Sequence, residues 1–404
     1  MNSNAYLVDG LRTPIGRFGG SLAQIRVDDL AAHVIRSLVE RHSGIESAID
    51  DVILGCANQA GEDNRNLARM ALLLAGLPHT VPGETVNRLC ASGMSAVISA
   101  ARAIKVGEGN LFVAGGAESM TRAPYVLSKS ESAFARNVEL FDTSIGWRFP
   151  NPKLVELFGI DGMGQTAENV AAEFGVNRVD QDRFALNSQL KASRARGAGR
   201  FALEVVPVDV PKGRRDWQSF SEDEFIRPDT TVEALAALKP AFRLDGHGTV
   251  TAGNSSGIND GACALLVASE RAVDAYGLSK RARVLASSVV GVEPRIMGIG
   301  PVEASKKALA RSGLKLSDID VIELNEAFAS QSLACLRLLG LDDDDPRVNP
   351  NGGAIALGHP LGMSGARLLH TAMIELEQQD ARFALCTMCV GVGQGMAAII
   401  ERVD

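Results

Sequence analysis

The feature that most constrains this chain is a long-range internal repeat. The segment VNRLCASGMSAV (86–97) carries Gly-Met-Ser three residues after Cys90, and the segment ALGHPLGMSGAR (356–367) carries the same triplet three residues after His359. The two copies are about 270 residues apart. A period this long indicates a duplicated domain rather than a solenoid of short repeats.

The repeat extends to the segments around each triplet. In both copies a helical pattern precedes a short buried strand, the triplet opens another helix, and an apolar strand follows. The paired segments are 27–41 with 301–313, 48–58 with 318–328, 94–105 with 363–376, and 110–119 with 382–391. The alternation of helix and strand predicts an α/β fold with a mostly parallel sheet covered by helices.

One long stretch has no counterpart in the second copy, and we interpret it as an inserted loop domain with helices at 166–175 and 178–197. The predicted organisation is an N-terminal half (1–120 and 246–270), the insertion (121–245) and a C-terminal half (271–404). A chain of 404 residues is expected to form two to three domains.

Bulk composition excludes several function classes. The net charge of −7 argues against a nucleic-acid partner. The first residues do not have a secretory pattern, and no apolar run reaches the ~20 residues that span a bilayer, so no membrane role is expected. The six scattered cysteines fit reduced thiols in a cytoplasm.

The repeated turn suggests a chemistry. A Cys in the first turn of a helix lies at the positive end of the helix dipole, which lowers the thiol pKa and favours the thiolate. Taken alone, Cys90 also fits a buried small apolar residue, and His359 also fits a structural His at a turn. If the two halves pack about a two-fold axis, the turns meet and the pair suits nucleophilic acyl transfer.

Three further segments carry candidate site residues. Cys389 opens the Gly-rich run CVGVGQG at what we take for the carboxyl end of the last strand, where ligands collect and backbone N–H groups stabilise an oxyanion. The CTMC spacing lacks the second ligand pair of a zinc site, so no metal is expected. Asn325 fits a helix N-cap or a group that orients a water or a His, and Ser256 fits a turn or a ligand contact.

The sequence resembles the thiolase family of the condensing-enzyme superfamily. Seven motifs occur in the family's order over essentially the whole chain: NRLCASG, GGAESM, TAEN, GNSSGINDGA, NEAFA, NGGAIALGHPLG and CVGVGQG. The resemblance implies a five-layered αβαβα fold from two duplicated halves with an inserted loop domain. It also implies coenzyme A thioesters as substrates, CoA as co-substrate, no permanently bound cofactor, and a homodimer or homotetramer.

The resemblance also implies catalytic roles. Cys90 matches the nucleophile, His359 its base, and Cys389 the second catalytic Cys, which moves the proton at the α-carbon. Asn325 matches the Asn that holds a water in one oxyanion hole, while the backbone N–H groups of Cys90 and Gly391 match the other hole.

The resemblance of particular segments to one group of thiolases implies the substrate. The segments FDTSIGWRFPNPKL (141–154) and IMGIGP (296–301) are most similar to thiolases that cleave 3-oxoadipyl-CoA to succinyl-CoA and acetyl-CoA. Ser256 matches a Ser near the pantetheine arm. Thiolases of acetoacetyl-CoA usually carry His-Met-Gly before the TAEN motif, and here Gly162 stands in place of that His, before Met163. We predict that Arg148 binds the terminal carboxylate of the substrate, since Arg binds carboxylates in bidentate geometry; a surface or CoA-phosphate role is the alternative.

Other functions stay open at this stage. The alternatives are an acetoacetyl-CoA thiolase, a general 3-ketoacyl-CoA thiolase, a ketoacyl synthase and a non-enzymatic lipid carrier. A ketoacyl synthase would pair the Cys with two His, or with a His and an Asn, and would not need Cys389. A carrier would not need Cys90, His359 and Cys389 together.

Overall fold

A mixed β-sheet runs through the whole protein. The structure, a computed structural model, describes residues 4–213 and 215–403. Its strands are β1 (Ala5–Arg12), β2 (Gly16–Arg17), β3 (Asp51–Gly55), β4 (Gly83–Val86), β5 (Leu111–Ser119), β6 (Tyr125–Leu127), β7 (Leu140–Asp142), β8 (Val208–Lys212), β9 (Asp216–Phe220), β10 (Asn259–Ser269), β11 (Ala282–Gly291), β12 (Val321–Leu324), β13 (Phe383–Val390) and β14 (Gln394–Arg402). The main sheet has the order β12-β13-β14-β11-β1-β10-β5-β3-β4, with β2 beside β10.

Helices cover both faces of this sheet. They are α1 (Val27–Glu40), α2 (Leu67–Ala75), α3 (Ser92–Val106), α4 (Pro152–Phe158), α5 (Met163–Glu173), α6 (Arg178–Gly197), α7 (Val232–Ala236), α8 (Glu270–Tyr276), α9 (Gly300–Ser312), α10 (Ala329–Leu339), α11 (Ala354–Leu357) and α12 (Leu361–Gln378). Short 3-10 helices occupy Glu46–Ala48, Leu89–Ala91, Arg200–Leu203, Pro294–Ile299 and Leu316–Asp318.

The buried side chains sort into layers, as period-2 alternation in strands requires. On β5, Phe112 and Ala114 face a central cluster that includes α3 and α12, while Leu111 and Val113 face an outer cluster with α1 and α2. A third cluster packs α9 and α10 on the outer face of β12, β13 and β14. Strands β5 and β10 of one half of the main sheet and β13 and β14 of the other half all contribute to the central cluster with α3 and α12. The two halves of the sheet therefore form two layers, and the order helix, sheet, helix, sheet, helix confirms the predicted five-layered fold.

The repeat predicted the paired elements correctly. Strand β3 corresponds to β12, α3 to α12 and β5 to β13, each offset by about 270 residues. The strand pairing agrees with this correspondence. Strand β3 pairs in parallel with β5, with Gly55 opposite Gly116, and β12 pairs in parallel with β13, with Leu324 opposite Thr387. The halves join where β1 pairs with β11.

The expected mostly parallel sheet is wrong. Among the strand pairs of the main sheet in the described residues, β3 with β4, β3 with β5, and β12 with β13 are parallel, and the other pairs are antiparallel. The chain reverses after β13 through a turn in which Val392 and Gly393 have positive φ, and it returns as β14. Cys389 is therefore not on the last strand, and its strand has one parallel and one antiparallel neighbour.

The segment between β5 and β10 wraps around the layers. It contains the hairpins β6–β7 and β8–β9 and the helices α4 to α7, two of which were predicted at 166–175 and 178–197. Its buried residues join the same clusters as the sheet: Phe201 enters the central cluster, Val208 the outer cluster near α1, and Val170 the cluster near α10. The boundaries 121–245 of a separate loop domain stay a prediction.

Among residues 4–213 and 215–403, one helical stretch, Leu89–Val106, is long and apolar enough to cross a membrane, and 61% of it is buried in the protein. It comprises the 3-10 turn Leu89–Ala91 and α3, a helix of the central layer. Its apolar residues belong to the central core cluster, and this core packing explains the apolar composition.

Candidate active site

Cys90 lies in a constrained turn between β4 and α3. Leu89, which precedes it, has a φ of +46°, an uncommon value for a branched residue. Asn87 holds this turn, since its Oδ1 accepts the Leu89 N–H at 2.8 Å and its Nδ2 donates to the Ala57 carbonyl at 3.0 Å. The strained turn fixes the position of the thiol at the start of the helix.

The predicted low pKa of Cys90 is wrong. Burial raises the pKa of the thiol to about 11, and the hydrogen bonds from the backbone N–H groups of Gly391 and of Cys90 itself offset only part of that effect. The residue is 8% exposed, so removal of the thiolate from water outweighs the helix dipole. At neutral pH Cys90 is therefore a neutral thiol, which could attack a substrate only after a base has taken its proton.

His359 is held as a neutral imidazole. Its Nδ1 lies 2.6 Å from Ser364 Oγ, and that hydroxyl donates its own proton to the Pro360 carbonyl at 2.8 Å. Ser364 Oγ therefore accepts from Nδ1–H, which leaves the lone pair on Nε2. Burial, followed by the nearby charge of Arg367, lowers the pKa of His359 to about 3.

Asn325 contacts the free nitrogen of that ring. Its Nδ2 lies 3.4 Å from His359 Nε2, and its Oδ1 is buried with no hydrogen-bond partner among the described residues. The N-cap interpretation is wrong, because α10 begins at Ala329 with Phe328 at the cap position. The alternative, an Asn that orients the His, is what the geometry supports, and a buried unpaired acceptor fits a place where a ligand or water binds.

Cys389 is a second buried thiol in the same region. It packs with Phe328, Ala327 and Met163 in a small cluster apart from the main cores. Burial raises the pKa of Cys389 well above its usual value, and Cys90 lies close enough to raise that pKa further. A thiol with so high a pKa keeps its proton and can act as an acid toward a carbanion.

Gly391 closes the site from the turn after β13. A Cβ on Gly391 would lie 3.1 Å from Leu89 Cδ1 and 3.8 Å from Met163 Sδ, so the residue abuts the nucleophile turn. Its N–H contacts the Cys90 sulfur. The structure thus brings Gly391, Cys90 and Met163 together.

Two predicted substrate residues lie beside the site in loops. The Ser256 N–H donates to the Ala327 carbonyl at 2.9 Å, which fastens its loop to the segment after Asn325. Arg148 is half-buried, and its Nη2 donates to the Asn58 carbonyl at 2.7 Å. The residue before Asn58, Ala57, accepts a hydrogen bond from Asn87, which also holds the Cys90 turn. Within residues 4–213 and 215–403, Arg148 forms no ion pair with a carboxylate within 4.0 Å.

The sequence reasoning missed residues that position His359. Asn259 Oδ1 accepts the His359 N–H at 3.0 Å, and Asn259 Nδ2 donates to the Gly16 carbonyl at 3.0 Å. Ser364 was visible as the Ser of the repeated triplet, but its partner in the first copy, Ser95, bonds to Arg88 instead of a catalytic group. The repeat alone could not assign its role.

A buried group of potential metal ligands, Cys56, Asp63 and Glu118, lies next to the nucleophile turn. The carboxylate oxygens of Asp63 and Glu118 accept hydrogen bonds from backbone N–H groups of the surrounding loops. Because these donors point at the oxygens, the group is built for hydrogen bonding rather than for a cation.

Comparisons with known proteins agree with this geometry. Family models described as the thiolase N-terminal and C-terminal domains match residues 5–271 and 278–402. A beta-ketoadipyl-CoA thiolase of Pseudomonas aeruginosa is 62% identical over 404 residues, 100% of each chain. A 3-oxoadipyl-CoA/3-oxo-5,6-dehydrosuberyl-CoA thiolase of Escherichia coli (strain K12) is 58% identical over 99% of each chain. The crystal structure of the Bacillus anthracis acetyl-CoA acetyltransferase has a TM-score of 0.92 at 40% identity and covers 100% of this chain and 99% of its own.

Proposed function

Because the chain belongs to the thiolase family, we propose that it cleaves 3-oxoadipyl-CoA with CoA to give succinyl-CoA and acetyl-CoA. The observation that carries the mechanism is the convergence of a buried thiol, Cys90, with the N–H of Gly391, beside a second protonated thiol, Cys389. The substrate follows from the names of full-length relatives that are 58–62% identical.

Acylation begins with proton transfer. His359 Nε2 takes the proton of the Cys90 thiol, and the sulfur attacks the 3-keto carbon of the substrate. The N–H groups of Gly391 and Cys90 then bind the oxygen that becomes negative. In the resting structure His359 Nε2 faces Asn325 at 3.4 Å, and we expect the contact with Cys90 to tighten when substrate is bound.

Cleavage releases acetyl-CoA. The bond between carbons 2 and 3 breaks, its electron pair forms the acetyl-CoA enolate, and the acyl group stays on Cys90 as a thioester. Asn325 and the His359 imidazolium stabilise the enolate oxygen, and the Cys389 thiol donates its proton to carbon 2.

The second half returns the enzyme to its starting state. The Cys389 thiolate accepts the proton of an incoming CoA thiol, and the CoA sulfur attacks the thioester. Cys90 leaves as a thiolate and regains its proton from His359. These steps involve coenzyme A as co-substrate and no resident cofactor.

Arg148 is proposed to bind the far carboxylate of the substrate. A half-buried guanidinium that has no carboxylate partner among the described residues and is held by the Asn58 carbonyl has bidentate donors left for a ligand. An Arg148→Met variant keeps the aliphatic stem and removes the charge, and Arg148→Lys keeps the charge without the fork. We expect kcat/KM for 3-oxoadipyl-CoA to fall at least about tenfold in Arg148→Met and less in Arg148→Lys. Equal losses on acetoacetyl-CoA would contradict the assignment.

The substrate itself is tested by thiolysis of 3-oxoadipyl-CoA and acetoacetyl-CoA, compared by kcat/KM. A strong preference for the dicarboxylic substrate supports the proposal. A preference for acetoacetyl-CoA would leave the mechanism intact and identify an acetyl-CoA acetyltransferase. Cys90→Ala is expected to abolish both reactions, and turnover by that variant would remove the nucleophile from the mechanism.

Location and assembly also belong to the proposal. We place the enzyme in the cytoplasm, as a homodimer or homotetramer. All six cysteines are buried free thiols, which suits a reducing compartment. Analytical ultracentrifugation distinguishes the two assemblies from a monomer.

A further inference from the structure

Glu118 is a buried carboxylate that the mechanism above does not use. It lies near the end of β5, is 1% exposed, and points to the place where α3 and α12 begin. Its Oε2 accepts the N–H of Gly362 at 2.8 Å and that of Ala57 at 2.9 Å, while Oε1 accepts the N–H of Asn58 at 3.1 Å. One side chain of the N-terminal half therefore contacts the first turn of the C-terminal central helix.

One of these hydrogen bonds connects Glu118 to the turn that carries His359. Gly362 lies in the first turn of α12, three residues after His359 and two before Ser364. The cap position of α12 is Pro360, whose side chain makes no capping hydrogen bond. Glu118 thus supplies from another strand the acceptor that an Asp or Ser cap would supply locally, at the positive end of the helix.

The contacts lead to Cys90 on the other side. The N–H of Ala57 donates to Glu118, and the carbonyl of Ala57 accepts a hydrogen bond from Asn87 Nδ2. The same Asn87 side chain accepts the N–H of Leu89, the residue before Cys90. A continuous path of four hydrogen bonds therefore runs from the nucleophile turn through Glu118 to the turn of the base.

Tight backbone contacts leave the two turns little freedom to adjust. A Cβ on Gly93 would lie 2.6 Å from the Gly362 carbonyl, and one on Gly116 would lie 2.0 Å from it. The starts of α3 and α12 therefore touch through backbone. A change in the hydrogen bonds of Glu118 must shift one turn against the other rather than be absorbed by side chains.

The charge of Glu118 also reaches the nucleophile. Burial, followed by the neighbouring Asp63, raises the pKa of Glu118 to about 7, so the carboxylate is ionised at the alkaline pH where Cys90 titrates. Its negative charge raises the pKa of Cys90. Besides Glu118, the titratable groups at this place are Cys56 and Asp63, which contact each other, Cys389, which lies near Cys90, and His359, which precedes by three residues the Gly362 that Glu118 contacts.

We propose that Glu118 is a positioning residue for thiolysis, which holds the Cys90 turn and the His359 turn in register and opposes negative charge on Cys90 in the resting enzyme. The proposal rests on the proposed function, since it assigns Cys90 and His359 as nucleophile and base. It predicts that the thiol stays inert until a substrate and the base are in place.

The test compares Glu118→Gln, Glu118→Asp and a matched control, Glu326→Gln. Glu326 is a buried carboxylate that is likewise held by neutral donors, Ser188 and Asn349, and it does not affect the pKa of Cys90. The rate of iodoacetamide alkylation at Cys90 is followed against pH by mass spectrometry of the Cys90 peptide, and thiolysis kinetics are measured in parallel.

In Glu118→Gln we expect the alkylation midpoint to move to lower pH by about half a unit or more, because a like charge is lost. We expect kcat to fall roughly tenfold or more with KM for CoA within about twofold, because the turns lose their register. Glu118→Asp keeps the charge and loses reach, so its midpoint should stay near that of the wild type while kcat falls. Glu326→Gln should leave the midpoint unchanged.

An unchanged midpoint in Glu118→Gln, or an equal shift in Glu326→Gln, would overturn the electrostatic part of the proposal. Unchanged kcat in both Glu118 variants would overturn the positioning part. Incubation of the wild type with acetyl-CoA separates these outcomes from failure of the proposed function. If wild-type Cys90 is not acetylated, the proposed function fails; if it is, any negative result belongs to Glu118 alone.

Discussion

Cys90 and His359 are both uncharged in the resting protein, because burial disfavours the thiolate of one and the imidazolium of the other. Charge therefore appears only when the proton moves between them or when substrate contributes its own dipoles. A neutral pair protects a reactive thiol from oxidation and alkylation in the absence of substrate. The cost is that the base must present the correct nitrogen.

The tautomer of His359 depends on Ser364. Ser364→Ala removes the acceptor of Nδ1–H, so the ring can place its proton on Nε2 and lose its function as a base. We expect kcat to fall about tenfold or more with little change in KM. Steady-state kinetics beside Ser95→Ala provide the check, since Ser95 is the counterpart in the repeat and bonds to Arg88. Equal losses in the two variants would show a packing effect instead.

The role of Cys389 can be separated from that of Cys90. In Cys389→Ala we expect acetyl-CoA still to acetylate Cys90, while exchange of the α-protons of acetyl-CoA with solvent deuterium is lost. Cys386→Ala is the matched control, because Cys386 lies on the same strand but faces the central core and donates to the Leu368 carbonyl. Persistent exchange in Cys389→Ala would assign the acid role to another group.

The identities of these residues could be read from the sequence, but their protonation could not. The repeat placed a Cys and a His at equivalent turns, and the family motifs added Asn325 and Cys389. The pKa values depend on which side chains cover the turns, and those come from segments far along the chain, such as Met163 and Phe328 over Cys389. A local dipole argument does not contain that information.

At the scale of elements, α3 and α12 pack closely against each other at glycines near their N-termini. The residues are Gly93 in α3 and Gly362 in α12, and the close approach sets the separation of the two turns. The helices and strands of the repeat were predicted to within a few residues because each carries its own periodicity. The direction of the strands was not, because whether β10 and β14 run antiparallel depends on connections that the pattern of one strand does not encode.

The glycine contact predicts a clear stability difference. Gly93→Ala places a methyl group 2.6 Å from the Gly362 carbonyl and 3.0 Å from the Ala366 nitrogen, so backbone must move. We expect a loss of about 1–3 kcal/mol in the free energy of unfolding, measured by urea denaturation. Gly197→Ala, in the last turn of α6 with open space around it, should be neutral or slightly stabilising. A Gly93→Ala protein as stable as the wild type would refute the tight contact.

At the scale of the whole molecule, the buried middle layer holds a histidine with no polar partner among the described residues. His370 of α12 has both ring nitrogens unpaired, and burial lowers its pKa to about 4. The unfolded chain binds a proton near pH 6.5 and the folded chain does not. The contribution of His370 to stability is therefore present above about pH 6.5 and is lost as the pH falls toward 4.

His370→Phe keeps an aromatic ring against Gly10 and cannot titrate. Between pH 7 and pH 5 we expect the wild type to lose up to about 2 kcal/mol more unfolding free energy than this variant. Urea midpoints at the two pH values give the comparison. Other buried groups, such as Glu118, respond to pH in both proteins and cancel in the difference. Parallel pH dependence in the two proteins would show that His370 is protonated in the folded state.

The layered order has a consequence for folding during synthesis on the ribosome. A ribosome completes the nucleophile turn, β5 and α3 long before it reaches His359 and α12, about 270 residues later. Until then, α3 covers the inner face of the N-terminal part of the sheet without α12, and a nascent chain with a partly exposed apolar face is prone to aggregation and to chaperone binding. The thiol and its base are brought together only when the second copy of the repeat has been translated. A half-made chain therefore already carries Cys90, but not His359, the residue that we propose as its base.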